Sequence, residues 1–124
     1  MKFVHTSKAP KPIGPYSQGV AAKGLVFVTG VVAIDPATGE VVTGGIREQA
    51  DRVLESVKAI LVEAGSSLDK VMKVTIYLKD RSLFKDVNEV YASYFGDHKP
   101  VRSTLICGLP RDEFLLMIDA IAVE

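Results

Sequence analysis

The sequence predicts an α+β domain: a mixed β-sheet with two helices packed on one of its faces. Two observations carry that prediction. Apolar residues recur at helical spacing in two separate stretches, and the segments around them are rich in β-formers with two-residue alternation. Chain order reads two strands, helix, strand, helix, two strands, an order that makes strand-helix-strand crossovers within a single sheet. At 124 residues with 48% hydrophobic content, residues 1–124 form one domain, able to bury about two thirds of the surface its unfolded chain exposes.

Residues Phe3 to Thr6 suit a short edge strand. The following Ala9-Pro10-Lys11-Pro12-Ile13-Gly14-Pro15-Tyr16 is too proline-rich for regular structure and reads as a stiff connector, or as a platform that presents Tyr16 to a ligand. Ser17 to Ala22 and Leu25 to Ile34 form a hairpin about Lys23-Gly24. The second strand has Leu25, Phe27 and Val31 on one face and Val26, Val28 and Val32 on the other, so both faces need cover. Inside it, Thr29-Gly30 marks a close backbone approach or a bulge, and the bulge fits the pattern better. Asp35 to Gly39 is a turn, and Glu40 to Val42 a short extended piece.

Past Gly44-Gly45, Ile46, Ala50, Val53, Leu54, Val57, Leu61 and Ala64 form the apolar stripe of a helix stopped by Gly65. Val71 to Lys79 alternates, with Met72, Val74, Ile76 and Leu78 on the buried side and Lys73, Thr75, Tyr77 and Lys79 opposite. Ser82 is a candidate N-cap for a second helix, whose apolar positions run from Leu83 to Phe95 and end at Gly96. Arg102 to Leu109 and Phe114 to Val123 then read as an antiparallel hairpin about the turn chemistry of Leu109 to Glu113. Its core face would hold Leu105, Cys107, Leu109, Phe114, Leu116, Ile118 and Ala120. The other would hold Arg102, Thr104, Ile106, Met117, Asp119 and Ile121, with Arg102 one diagonal step, about 7 to 8 Å between Cβ atoms, from Asp119. Two helices cover one sheet face only, so the remaining apolar face calls for a second copy of the chain.

Fifteen basic and fifteen acidic residues cancel, and no run of like charge suggests a nucleic-acid footprint or an anionic membrane surface. No segment reaches the roughly 18 apolar residues of a membrane span, and the first residues lack a signal-peptide core, which reads as a soluble, cytoplasmic protein. One cysteine and two distant histidines make neither a disulfide framework nor a metal site. Arg102 offers a planar fork of donors suited to a carboxylate, and Thr104 and Asp119 beside it would complete a site for a small acid; a cross-strand ion pair explains the same residues equally well. Asn88 reads as a solvated helix residue.

Taken together, Ile13-Gly14-Pro15-Tyr16-Ser17-Gln18, Val28-Thr29-Gly30, Val74-Thr75-Ile76-Tyr77-Leu78-Lys79-Asp80, Val87-Asn88-Glu89-Val90-Tyr91, Pro100-Val101-Arg102-Ser103-Thr104, Leu109-Pro110 and Asp119-Ala120-Ile121-Ala122 resemble the Rid, or YjgF, family of reactive-intermediate deaminases. The resemblance implies a chorismate-mutase-like homotrimer with ligand sites in the clefts between subunits. It also implies hydrolysis of 2-enamino and 2-imino acids, such as 2-aminoacrylate and 2-iminobutanoate, to 2-keto acids and ammonia without metal or organic cofactor. On that resemblance Arg102 clamps the substrate carboxylate, Thr104 offers backbone groups beside it, and Tyr16, Thr29, Gly30 and Asn88 line the cleft. Asp119 stands where deaminating members carry a glutamate that orients water. Val31 replaces a frequent glutamine, and Val101 a frequent alanine. The shorter acid leaves a second reading open, a carboxylate-binding regulatory trimer with little turnover.

Overall fold

A computed structural model describes all 124 residues. Strands β1 (Lys2–Val4), β2 (Gly19–Ala22) and β3 (Leu25–Val32) precede helix α1 (Ile46–Glu63); β4 (Val71–Leu78), helix α2 (Phe84–Phe95), β5 (Val101–Ile106) and β6 (Leu116–Val123) follow. All six strands form one mixed sheet in the order β1-β2-β3-β6-β4-β5. Single 3-10 turns, Leu68–Lys70 and Arg81–Leu83, lead into β4 and α2.

Local chemistry accounts for the element ends. Lys23 and Gly24 both take positive φ, 53° and 78°, as a two-residue hairpin turn requires, so β2 and β3 pair with Ala22 opposite Leu25. Helix α1 begins with the Gly45 N–H donating to the Glu48 carboxylate and ends on Gly65 at φ 85°, where the Ser66 and Gly65 N–H groups close back on the Leu61 and Val62 carbonyls. The cap at the start of α2 is Asp80 rather than Ser82: its Oδ1 accepts the Ser82 N–H at 2.8 Å, and one 3-10 turn precedes the helix. Gly96 closes α2 at φ 58°.

Both helices lie on one face. There Ala50, Val53, Leu54, Val57, Ile60 and Leu61 of α1 and Val87 and Phe95 of α2 meet Val26, Val28 and Val31 of β3, Val74, Ile76 and Leu78 of β4 and Leu116, Ile118, Ala120 and Ala122 of β6. Each large apolar side chain fully buried in this way contributes about 1.5 to 3 kcal/mol. Two buried glutamines tie loops to this core. Gln49 Nε2 donates to the Glu113 carbonyl and its Oε1 accepts the Leu115 N–H. Gln18, 3% exposed, accepts the Thr6 N–H at 2.7 Å and donates to the Thr6, Ala9 and Pro10 carbonyls, pinning the proline-rich connector across the sheet.

Three expectations from sequence are corrected. The two closing strands are not a hairpin: β6 lies between β3 and β4, antiparallel to both, while β5 runs parallel to β4 at the sheet edge. The reason is composition, since β6 brings four buried apolar side chains to the sheet centre, whereas Val101, Leu105 and Ile106 of β5 stay exposed. Secondly, β-bulges turn faces over. The register shift between Val28 and Val31 puts both inward, so Val31 joins Val26 and Val28, and the shift between Val71 and Lys73 buries Val71 and exposes Met72. Thirdly, Arg102 and Asp119 do not share a face. Arg102, Thr104 and Ile106 pair with Val74, Ile76 and Leu78 on the helix-covered side, and Asp119 pairs with Thr75 on the open side.

That open face is apolar and, in one chain, uncovered. Phe3, Val20, Phe27, Ile121, Lys73 and Val101 follow one another across all six strands, and Phe3, Phe27 and Val101 are exposed.

Candidate functional site

The arginine singled out from sequence is held but not neutralised. From the edge strand β5, Arg102 reaches back to α2, where one guanidinium nitrogen donates to Asn88 Oδ1 at 2.7 Å. Its guanidinium carbon stands 4.8 Å from the centre of the Tyr91 ring and 5.7 Å from that of Phe84. Arg47 and Arg111 pair with carboxylates, whereas Arg102 makes no ion pair within the chain. A guanidinium has five N–H donors in a fixed fork, so the contact with Asn88 leaves an edge free for a planar anion. Phe84, Asn88 and Tyr91 are spaced four and three residues apart and therefore share a stripe of α2. Sequence reasoning read the two aromatics as ordinary helix packing and Asn88 as solvated; a polar residue inside an aromatic stripe is the signal that finds this seat. Burial pushes the Tyr91 hydroxyl above its ordinary pKa, with Arg102 opposing, and that hydroxyl has no hydrogen-bond partner.

A second group forms around the start of the sheet. Tyr16, Thr29 and Gly30 line one pocket with Pro10, Lys11 and Val31. The Tyr16 hydroxyl accepts the Ile13 N–H at 3.1 Å, which braces the ring against its own connector. The register shift between Val28 and Val31 bears out the bulge reading of Thr29-Gly30, and what packs close over Gly30 is the Met117 side chain, whose Sδ would stand 2.7 Å from a Cβ built there.

On the open face, Tyr77 donates its hydroxyl to Asp119 Oδ2 at 2.8 Å. That hydrogen bond, then burial, raises the Tyr77 pKa above its ordinary value. Thr104 sits half-buried two residues beyond Arg102, on the same side of β5. Within one chain the candidate residues thus fall into three places: Arg102, Asn88 and Thr104 at the β5–α2 edge, Tyr16, Thr29 and Gly30 beside β3, and Asp119 on the open face. No group of three or more His, Cys, Asp or Glu side chains is placed to hold a metal ion, and no helix is long and apolar enough to cross a membrane.

A six-stranded mixed sheet with two helices on one face, and an unpaired arginine seated at its edge, defines a small α+β protein of the chorismate-mutase-like class. The chain belongs to the Rid/YjgF family: the family model described as Endoribonuclease L-PSP matches residues 6–124. A RutC family protein of Pyrococcus abyssi is 53% identical over 124 residues, covering 99% of this chain and 97% of the relative. The 2-iminobutanoate/2-iminopropanoate deaminase of Mus musculus is 40% identical over 124 residues, covering 99% and 91%. Among solved structures, E. coli TdcF with bound serine matches with a TM-score of 0.94 at 38% identity, over 100% of this chain and 99% of that one.

Proposed function

We propose that the protein hydrolyses small 2-imino and 2-enamino acids to 2-keto acids and ammonia, as a homotrimer with its sites between subunits. The observation that carries this reading is Arg102, positively charged, stacked on aromatic rings and without a carboxylate partner. An arginine so placed is a receptor for a carboxylate that arrives from outside the chain. The mouse deaminase supports the reaction class, and serine bound to E. coli TdcF supports a ligand of small amino-acid size.

The substrate carboxylate docks on the free edge of Arg102, with Thr104 beside it. Water adds to the imine carbon, forming a C–O bond; a proton moves to nitrogen, the C–N bond breaks, and ammonia and the 2-keto acid leave. An imine is already labile to water, so holding it beside a positioned water molecule suffices without metal or organic cofactor. Asp119 accepts the hydrogen bond that orients this water. Because Arg102 and Asp119 lie on opposite faces of one sheet, a complete site draws on two chains: the β5–α2 edge of one and Tyr16, Thr29, Gly30 and Asp119 of the next. The uncovered apolar face supports such an assembly.

Asp119 favours one competing reading, a carboxylate-binding regulatory trimer with little turnover, because an error of about 1 Å at the reacting atoms costs orders of magnitude in rate. The decisive assay couples a threonine dehydratase to the protein and follows the decay of 2-iminobutanoate. Accelerated decay, reduced about 10- to 100-fold in Arg102→Ala by loss of a charged hydrogen-bonding partner, supports hydrolysis. Equal rates for wild type and Arg102→Ala end the deaminase reading.

A further inference from the structure

Asp119 is one methylene shorter than the glutamate expected at its place, yet it is not left loose. Its direct cross-strand neighbour is Thr75, while Tyr77 faces Met117, so the 2.8 Å contact from the Tyr77 hydroxyl to Asp119 Oδ2 spans the diagonal between β4 and β6. A diagonal of about 7 to 8 Å is within reach of an aromatic side chain and beyond that of a short one. Tyr77 has only two side-chain torsions, and its ring is half-buried in a row with Met117 and Leu105. The hydroxyl is thus fixed by the sheet itself. It occupies Oδ2 and leaves Oδ1 without a partner in the chain.

We propose that Tyr77 is the positioning residue for Asp119: it locks one carboxylate oxygen so that the other is presented, in one orientation, to the water that attacks the imine. The inference rests on the hydrolytic reading above and assigns no contact with substrate to Tyr77. A short acid fixed by a hydrogen-bond donor then replaces a longer acid with an extra torsion, and less rotational freedom is lost when the water is bound. The raised Tyr77 pKa, caused first by this hydrogen bond, agrees with a phenol that keeps its proton and acts as donor.

The test uses Tyr77→Phe, which keeps the ring and removes only the hydroxyl, in the assembled protein with 2-iminobutanoate as substrate. The expected result is a fall in kcat of about tenfold with KM unchanged within about twofold, because carboxylate docking on Arg102 is untouched. Adding Tyr77→Phe to Asp119→Asn should cost nothing further, since there is then no charged carboxylate to position; a merely structural tyrosine costs the same in both backgrounds. An independent measurement is the ultraviolet titration of the tyrosines, in which Asp119→Asn should move one phenol to lower pH. Wild-type turnover with an unchanged kcat in Tyr77→Phe, or additive losses in the double variant, overturns the role of Tyr77 and leaves the hydrolytic reading standing. A wild type without turnover overturns both.

Discussion

Arg102 is held in place without being neutralised inside the chain. Asn88 accepts its hydrogen bond at 2.7 Å, the Tyr91 and Phe84 ring centres stand 4.8 and 5.7 Å from its guanidinium carbon, and no carboxylate of the chain forms an ion pair with it. Phe84 is itself exposed, so its stacking contact is of the weak, solvated kind worth about 0.5 to 1 kcal/mol. Phe84→Ala should therefore weaken binding of 2-oxobutanoate about two- to fivefold by calorimetry, well short of the effect of Arg102→Ala. The tyrosines make a separate prediction about pH. Tyr77, Tyr91 and Tyr94 all have pKa values above that of a free phenol, Tyr94 by burial and then by its bonds to Asp51 and Glu55 on α1. A raised pKa means that the folded state holds the proton more tightly. The resulting stabilisation is complete below the unfolded value of about 10 and is lost as pH rises beyond it. Thermal unfolding should shift downward from about pH 10, and Tyr94→Phe should flatten that decline.

At the scale of elements, the proline-rich connector is held by one buried side chain. Gln18→Ala would orphan the Thr6 N–H and three carbonyls, an effect of about 2 to 4 kcal/mol measurable by urea unfolding, with Tyr16 losing its fixed place. This role was not legible in the sequence, where Gln18 is simply one polar residue inside the strand expected from Ser17 to Ala22; the carbonyls it answers lie eight to twelve residues away. Local signals fared better. Both helices, their glycine stops and the β2–β3 hairpin follow from periodicity and turn chemistry, because the interactions that decide them span only a few residues. Strand pairing is decided by contacts across the whole chain, which is why β5 and β6, neighbours in sequence, are separated by β4 in the sheet. Faces were misread for a related reason. One bulge residue reverses every alternation after it, and an edge strand pairs parallel or antiparallel according to its crossover helix. Arg102 and Asp119 were thus identifiable as candidates, while their lying on opposite faces was not.

For the molecule as a whole, the row from Phe3 to Val101 is the surface on which the proposed assembly would depend. We expect a trimer by light scattering at micromolar concentration. Phe27→Asp, at a position 45% exposed in one chain, should shift it to monomer with the helical circular dichroism retained. If the site is shared between chains, that monomer should lose imine hydrolysis although none of its candidate site residues has changed.

The central position of β6 has one more consequence, for the order in which the chain can fold. β1, β2 and β3 form one antiparallel unit and β4 and β5 a parallel pair, and no strand pairing joins them until residues 116–123 enter between them. The last strand in chain order is thus the keystone of the sheet, so productive folding waits on contacts of long sequence separation, the feature that slows two-state folding toward milliseconds or seconds. Until then the apolar flanks of β3 and β4 stand open to solvent, and the interval before β6 inserts is when this chain is most exposed to aggregation.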